Sequence, residues 1–239
     1  MELIWFVIFA VLLTGYFALE GFDLGVGLLM FGRPQERRDH MVSSMAPFVL
    51  ANEVWLVAVA GTLFGVYPML EGEVLFGLYP IVVVMLLAWV VRDAGLWFRR
   101  RLGRSFWDVM ISLGSLGLSA GWGVALYSAA TGFTASPLHP LGLALGLVTT
   151  ALFALHGRAF LAWREGGKAR GFLLTGLAAA APVIALLAAA APHLLGATAP
   201  GSTLSVLSFM VLPFAPVMVG AQVWVWRTFR RAAPAPSFF

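Results

Sequence analysis

Residues 11–32 constrain this chain more than any other stretch, because they place two carboxylates inside an apolar run. The run extends over residues 4–31 and is long enough for a helix to cross a bilayer. Glu20 and Asp23 lie within it. An ionisable side chain at membrane depth normally faces protein or water rather than lipid. The sequence therefore predicts a membrane helix whose acidic face is covered.

This helix is predicted to have two distinct faces. At about 100° per residue, one stripe holds Tyr16, Glu20, Asp23 and Gly27, and the opposite side holds Thr14, Ala18, Gly21, Gly25 and Gly32. The small residues allow a neighbouring helix to approach closely. The acids are open to two interpretations, structural pairing with cations or proton handling. Because the chain looks poor in cations at this depth, proton handling is favoured.

The composition supports a membrane protein. Of 239 residues, 61% are hydrophobic and 11% are charged, which is more apolar surface than a soluble domain of this size can bury. The absence of cysteine excludes disulfides, Cys-ligated iron–sulfur clusters and covalent c-type haem. We expect one transmembrane domain over residues 1–231 and a disordered cytoplasmic tail over residues 232–239.

Seven apolar segments predict an all-α, polytopic membrane helical bundle. They cover residues 3–31, 42–67, 72–94, 107–131, 141–163, 171–191 and 203–226. Pro213 and Pro216 predict a kink in the last segment.

The basic residues between these segments predict the orientation. The loops after spans 1, 3 and 5 and the tail are basic, whereas the loops after spans 2, 4 and 6 have no Lys or Arg. By the positive-inside rule, the N-terminus is outside and the C-terminus is cytoplasmic. Orientation therefore explains the positive net charge, and no nucleic acid partner is expected.

Four residues are the primary candidates for a proton path. Asp23 lies about eight residues, or ~12 Å, from the cytoplasmic end of span 1, and Glu20 lies about one turn deeper. We expect Asp23 to meet cytoplasmic water first. Asn52 and Glu53 fall near the midplane of span 2, with Glu53 on an otherwise apolar face. The structural alternative is a hydrogen-bonded pair of Asn52 with Glu53.

Secondary candidates belong either to the path or to a subunit interface. Asp93 forms a local ion pair with Arg92 or lies at the mouth of an acidic path. His156 is either a hydrogen-bonded interface residue or a ligand. Ser112 and Ser115 share a helix face with Ser119. Serine hydroxyls at this spacing either join neighbouring helices by hydrogen bonds or hold water.

The chain offers little for redox chemistry of its own. Of its four histidines, His40, His139, His156 and His193, only His156 lies in a predicted span. That distribution excludes a bis-His haem, and nothing supports His–Met ligation. No metal cluster, nucleotide loop or nucleophile constellation is present in the sequence. The residues thus indicate a proton conduit or a helper subunit, with no cofactor on this chain.

Several segments resemble subunit II of cytochrome bd quinol oxidases. Residues 15–29, GYFALEGFDLGVGLL, resemble the opening signature of that family, and residues 36–56, ERRDHMVSSMAPFVLANEVWL, resemble the region that follows it. TLFGVYP at 62–68 and LHGRAFLA at 155–162 are also similar to family segments. The match is dense over roughly the first 70 residues and sparse afterwards.

The resemblance implies a multi-pass subunit in the cytoplasmic membrane of a prokaryote, in a complex that oxidises quinol and reduces dioxygen to water. A haem-bearing subunit I would hold the quinol site and haems b and d, or b only. Subunit II would support it and line a cytoplasmic proton-uptake path. Small accessory membrane subunits, membrane lipid and the quinone pool are further expected partners. Asp23 matches the acid of the family's GFD motif, and Asn52, Glu53 and Trp55 match its Asn–Glu/Gln–Val–Trp segment.

The chain also departs from the family pattern. Many members have His-Trp-Asp-Gly where this chain has Phe48, Val49, Leu50 and Ala51, so Leu50 replaces an aspartate implicated in proton uptake. Glu53 could serve instead. The chain has seven predicted spans where eight or more are typical. The alternatives are a proton-coupled secondary transporter, which favours broken helices and internal repeats, and a purely structural membrane subunit.

Overall fold

The structure is a computed structural model that describes residues 1–230, so the tail predicted for residues 232–239 lies outside it. The helices are α1 (Glu2–Leu29), α2 (Gln35–Val66), α3 (Pro68–Gly77), α4 (Tyr79–Phe98), α5 (Arg104–Ala130), α6 (Pro140–Arg164), α7 (Ala169–Gly196), α8 (Gly201–Val211) and α9 (Ala215–Phe229). Within residues 1–230, seven helical segments are long and apolar enough to cross a membrane, with α8 and α9 together forming the last. This confirms the predicted all-α bundle; the orientation stays a prediction.

The third predicted span is wrong in its bounds. Residues 72–94 are divided between α3, which ends at Gly77, and α4, which begins at Tyr79. Pro80 lies in the first turn of α4, where a missing backbone N–H is tolerated, and it could not continue a helix from α3. The membrane segment is therefore α4 alone. In the last span a 3₁₀ turn over Leu212–Phe214 joins α8 to α9 at Pro213, the position for which a kink is predicted.

Helix α1 lies at the centre of the bundle, in contact with α2, α5, α6 and α7. Its small-residue face allows α6 to approach. A Cβ added at Gly25 would clash with the backbone of Phe153 and Gly157, and a Cβ added at Gly157 would clash with the backbone of Gly25 and Val26. The predicted close-approach face is thereby confirmed, and the acidic face is left to meet α2, α4 and α5.

An apolar cluster fills the bundle toward the basic ends of the helices. Phe22 of α1 stacks on Phe160 of α6, with ring centroids 4.2 Å apart. Met30, Met45 and Leu96 are buried in the same cluster. This cluster lies next to the acidic face of α1, on the side of the predicted cytoplasmic ends.

Candidate proton-handling site

Arg92 of α4 brings charges from three helices to one point. Its side chain is fully buried, and Nη1 lies 2.8 Å from Oε1 of Glu20, 3.0 Å from Oε1 of Glu53 and 3.4 Å from Oδ1 of Asp93. Trp89 Nε1 donates a hydrogen bond of 3.1 Å to Glu53. Together with Asp23, these charged residues form what we call the membrane acid cluster: Glu20, Asp23, Glu53, Arg92 and Asp93.

Two expectations about the environment of the acids are wrong. The region is not poor in cations, because Arg92 points inward to Glu20. Glu53 is not in an apolar environment, since it accepts hydrogen bonds from Trp89 and Arg92. Sequence reasoning placed Arg92 at the helix end as a residue beside Asp93, and helix position alone does not show that a long side chain turns into the bundle.

Asp23 is hydrogen-bonded to an amide rather than paired with a cation. Asn52 Nδ2 donates to Asp23 Oδ2 over 2.6 Å, so the pairing of Asn52 with Glu53 is replaced by a pairing with Asp23. Asn52 Oδ1 in turn accepts from Gln222 Nε2 at 2.9 Å, and Gln222 Oε1 accepts from Trp55 Nε1 at 3.2 Å. Gln222 was missed in the sequence, although an amide inside an apolar span is a usable signal.

The cluster has unused hydrogen-bonding capacity. Within residues 1–230, Glu20 Oε2, Asp23 Oδ1 and the Nε and Nη2 atoms of Arg92 are buried without a hydrogen-bond partner. Buried polar atoms in native proteins are nearly always bonded to protein or to ordered water. These atoms therefore give the cluster sites at which water or another polar group would be bound.

Exposure identifies the accessible end of the cluster. The side chain of Asp93 is 28% exposed and that of Glu53 is 12% exposed, whereas Glu20 is 2% exposed and Asp23 is fully buried. Which of these acids meets cytoplasmic water first is not decided by this exposure, and the expectation for Asp23 stays a prediction. The apolar cluster around Met30 and Leu96 lies between the acids and the predicted cytoplasmic ends of the helices. The acids therefore reach the molecular surface between α2 and α4.

The secondary candidates are distributed around α1. Ser112 donates to the carbonyl of Gly27 over 2.9 Å, and Ser115 Oγ lies where a Cβ on Gly27 would be, so both join α5 to α1. His156 lies on another side, with Nδ1 2.9 Å from Thr175 Oγ1 and Nε2 2.9 Å from the carbonyl oxygen of Ala18. The interpretation of His156 as a hydrogen-bonded interface residue fits these contacts.

The arrangement of His156 does not suit an axial haem ligand. Both ring nitrogens are engaged with protein atoms, and the ring stacks on Phe172 at 4.8 Å. In the part of the chain that the structure describes, no group of three His, Cys, Asp or Glu residues is arranged to hold a metal ion.

A second group of charges joins the basic ends of α2, α4 and α5. Arg99 Nε is 2.8 Å from Asp108 Oδ1, and Arg99 Nη2 is 2.7 Å from Asp39 Oδ1. Arg104 is 2.9 Å from Asp39, and Arg38 is 3.4 Å from Asp108. We call these five residues the basic-end ion network. Sequence reasoning treated the arginines only as an orientation signal.

Together, the fold and the site define a multi-pass α-helical membrane protein with an acid cluster buried inside its bundle. The chain belongs to the cytochrome bd terminal oxidase subunit II family, whose sequence model matches residues 1–196. The resemblance of the sequence segments is thereby confirmed. Membership also identifies a multi-pass protein of the cytoplasmic membrane.

Curated relatives agree with this family. Cytochrome bd-I ubiquinol oxidase subunit 2 of Escherichia coli (strain K12) is 30% identical over an alignment of 189 residues that covers 70% of this chain and 50% of the relative. Cytochrome bd ubiquinol oxidase subunit 2 of Bacillus subtilis (strain 168) is 37% identical over 119 residues, 47% of this chain and 35% of the relative. The probable cytochrome oxidase subunit 2 of Haemophilus influenzae is 28% identical over 182 residues, 67% of this chain and 48% of the relative. The chain thus spans about half the length of the curated relatives it matches, or less.

Proposed function

We propose that this chain is the non-haem subunit of a membrane complex that oxidises quinol and reduces dioxygen to water. The family and the names of the relatives support the reaction class. The engagement of both nitrogens of His156 supports placing the haems, b and d or b only, on a partner subunit I. The quinone pool then supplies the substrate to the complex, and this chain contributes packing and proton handling.

The proton role depends mainly on one observation, the charge imbalance of the membrane acid cluster. The cluster holds four carboxyl groups and one arginine, and Arg92 contacts three of the four. Burying unpaired negative charge is costly, so we infer that some of these carboxyls hold protons. Reduction of dioxygen to water consumes protons, and a carboxyl that binds and releases a proton can relay it over hydrogen-bond distances or through one water.

The contacts support an order for the relay. Asp93 and Glu53 form the accessible end, and Glu20 lies behind them on the other side of the Arg92 guanidinium. Asp23 follows about one turn along α1 from Glu20 and is oriented by Asn52. Arg92 stays charged, so it positions the carboxylates and does not itself carry the proton.

Neutral variants of the two buried α1 acids test this role. We expect Glu20→Gln and Asp23→Asn each to lower oxygen consumption by the purified complex at least about tenfold with normal haem content, because amides keep the size and most hydrogen bonds but cannot relay a proton. Glu165→Gln is the matched control, since Glu165 pairs with Arg37 at an exposed site and should leave turnover unchanged. Full turnover of both α1 variants with an unchanged pH profile would contradict the relay.

A purely structural role is the second candidate, because one observation favours it. The 2.8 Å contact of Glu20 with Arg92 is a fully buried ion pair that joins α1 to α4. If structure were its whole role, Glu20→Gln would lower the thermal stability of the complex and its yield while turnover per haem stayed normal. The oxygen-consumption assay normalised to haem separates the two candidates.

A further inference from the structure

The basic end of the last span carries an open cleft with cationic and aromatic walls. The cleft has a volume of about 570 Å³, joins α6 to the end of α9, and is lined by Trp163, Arg227, Thr228 and Arg230. This volume falls in the range of about 300–1,000 Å³ that is typical of small-ligand sites. The three residues from the end of α9 are exposed, so the cleft is accessible from outside the bundle.

The two arginines of the cleft lack an acidic partner. Neither Arg227 nor Arg230 forms an ion pair with any residue in the range 1–230, whereas all three arginines of the basic-end ion network contact a carboxylate. Glu165, the acid at the end of α6, is paired with Arg37 at 2.6 Å. The cleft therefore presents two uncompensated positive charges, and the ligand that suits it is an anion.

Arg164 offsets the negative end of α9, which would otherwise repel an anion. The free carbonyl groups at a helix C-terminus carry partial negative charge. Arg164 Nη1 donates hydrogen bonds to the carbonyl oxygens of Phe229 and Arg230 at this end. The guanidinium groups of Arg227 and Arg230 are thus left to bind a ligand, and arginine binds phosphate through two parallel N–H···O bonds.

The face of α9 that carries these arginines continues into the membrane as an apolar stripe. At about 100° per residue, two valines and two arginines fall within about 80° of one another; they are Val219, Val223, Arg227 and Arg230. Val219 is 50% exposed and Val223 is 43% exposed. Val223 lies about one turn, or ~6 Å, deeper than Arg227. A phospholipid covers both parts of this face, whereas a soluble phosphate compound leaves the valines uncovered.

We propose that this cleft binds the phosphate of an anionic phospholipid, whose acyl chains lie along Val219 and Val223. Basic pockets between membrane helices at the cytoplasmic side bind anionic headgroups. The bound lipid contacts α6 at Trp163 and α9 at Arg227, and these two helices have little backbone contact with each other. It thus links the last span to the rest of the bundle, a role that does not depend on the proposed function.

Native mass spectrometry of the delipidated full-length chain, purified with its bound partners, tests the site. Dioleoylphosphatidylglycerol is titrated into the wild type and into Arg227→Gln/Arg230→Gln. We expect the double variant to bind this lipid at least about tenfold more weakly, because the two charges that attract the headgroup are removed. Arg33→Gln/Arg101→Gln is the matched control, since it removes the same charge from exposed arginines at other helix ends and should keep wild-type affinity.

Three results would overturn the proposal. An equal loss of affinity in the control variant would mean that lipid is attracted to any basic surface of the chain. Equal affinity of the wild type for dioleoylphosphatidylcholine would mean that the cleft does not select an anionic headgroup. Binding of inorganic phosphate without binding of dioleoylphosphatidylglycerol would assign the cleft to a soluble phosphate compound.

Thermal unfolding tests the link between α6 and α9. A ligand that binds only the folded state raises the Tm. We therefore expect dioleoylphosphatidylglycerol to raise the Tm of the wild type and of Arg33→Gln/Arg101→Gln, and to leave that of Arg227→Gln/Arg230→Gln unchanged. An equal rise in all three proteins would contradict a stabilising lipid at this cleft.

Discussion

The two groups of charges in this protein have the same chemistry but different surroundings. In the basic-end ion network, three arginines face two aspartates, and Arg104 and Asp39 are 52% and 35% exposed at their side chains. The membrane acid cluster has one arginine and four carboxyls, and Arg92, Glu20 and Asp23 are buried. In the first group arginines outnumber acids and the outer pair is partly exposed, whereas in the second group acids outnumber the one arginine and most of the groups are buried.

This difference separates a structural role from a proton-handling role. Each aspartate of the network has two arginine partners, so protonation is not needed to balance its charge. The network also joins three helix ends, which is a sufficient reason for its presence. The cluster combines excess acid with buried atoms that lack partners within residues 1–230. In a membrane protein, buried ionisable groups in excess of those needed for a structural ion pair are candidates for function.

The largest expected effect comes from removing the one cation of the cluster. Arg92→Leu leaves Glu20 and Glu53 without their partner, and breaking a buried pair in this way costs about 3–5 kcal/mol. We expect loss of assembled complex or a strongly lowered Tm, measured by thermal unfolding of the purified complex.

A combined variant serves as the control for that prediction. Adding Glu20→Gln and Glu53→Gln to Arg92→Leu removes the uncompensated charges, so much of the stability should return while turnover stays low. If Arg92→Leu alone assembled with an unchanged Tm, the cluster would not depend on this cation.

A smaller loss of stability is expected from the network. Asp108→Asn weakens the contacts with Arg99 and Arg38 and leaves Arg99, which is buried, less well compensated, at a cost of about 1–3 kcal/mol. Turnover per haem should be unchanged, because no relay passes through this group. The measurement is Tm together with oxygen consumption. A turnover loss at normal Tm would mean that the network also handles protons.

The smallest effect is expected at the exposed edge of the network. Arg104→Gln removes a contact of 2.9 Å to Asp39 at a site where both side chains are partly in water. Exposed ion pairs contribute about 0–1 kcal/mol, so the Tm should hardly change. A drop in Tm as large as that of Asp108→Asn would show that the two edges of the network are coupled.

The helical type and the number of membrane spans were predictable from the sequence, because the length of an apolar run indicates a spanning helix. The faces of α1 were predictable for the same kind of reason, since helical periodicity places Gly25 opposite Glu20 and Asp23. The division of residues 72–94 into α3 and α4 was missed, because a break beside Pro80 does not interrupt the apolar run.

The site was predictable in its members but not in its connections. Glu20, Asp23, Asn52, Glu53 and Asp93 were all identified, and the structure brings them together. Their partners were not, because pairing across helices depends on helix rotation and side-chain direction. Arg92 turns inward instead of toward the boundary, and Gln222 reaches Asn52 from the other end of the chain.

Infrared difference spectroscopy of the complex tests proton handling by the membrane acid cluster, because the C=O stretch of a protonated carboxyl is distinct from that of a carboxylate. We expect a protonated-carboxyl band that changes during turnover and is lost or shifted in Glu20→Gln or Asp23→Asn but retained in Asp108→Asn. A spectrum without such a band, or with one that responds only to Asp108→Asn, would contradict proton handling by the membrane acid cluster.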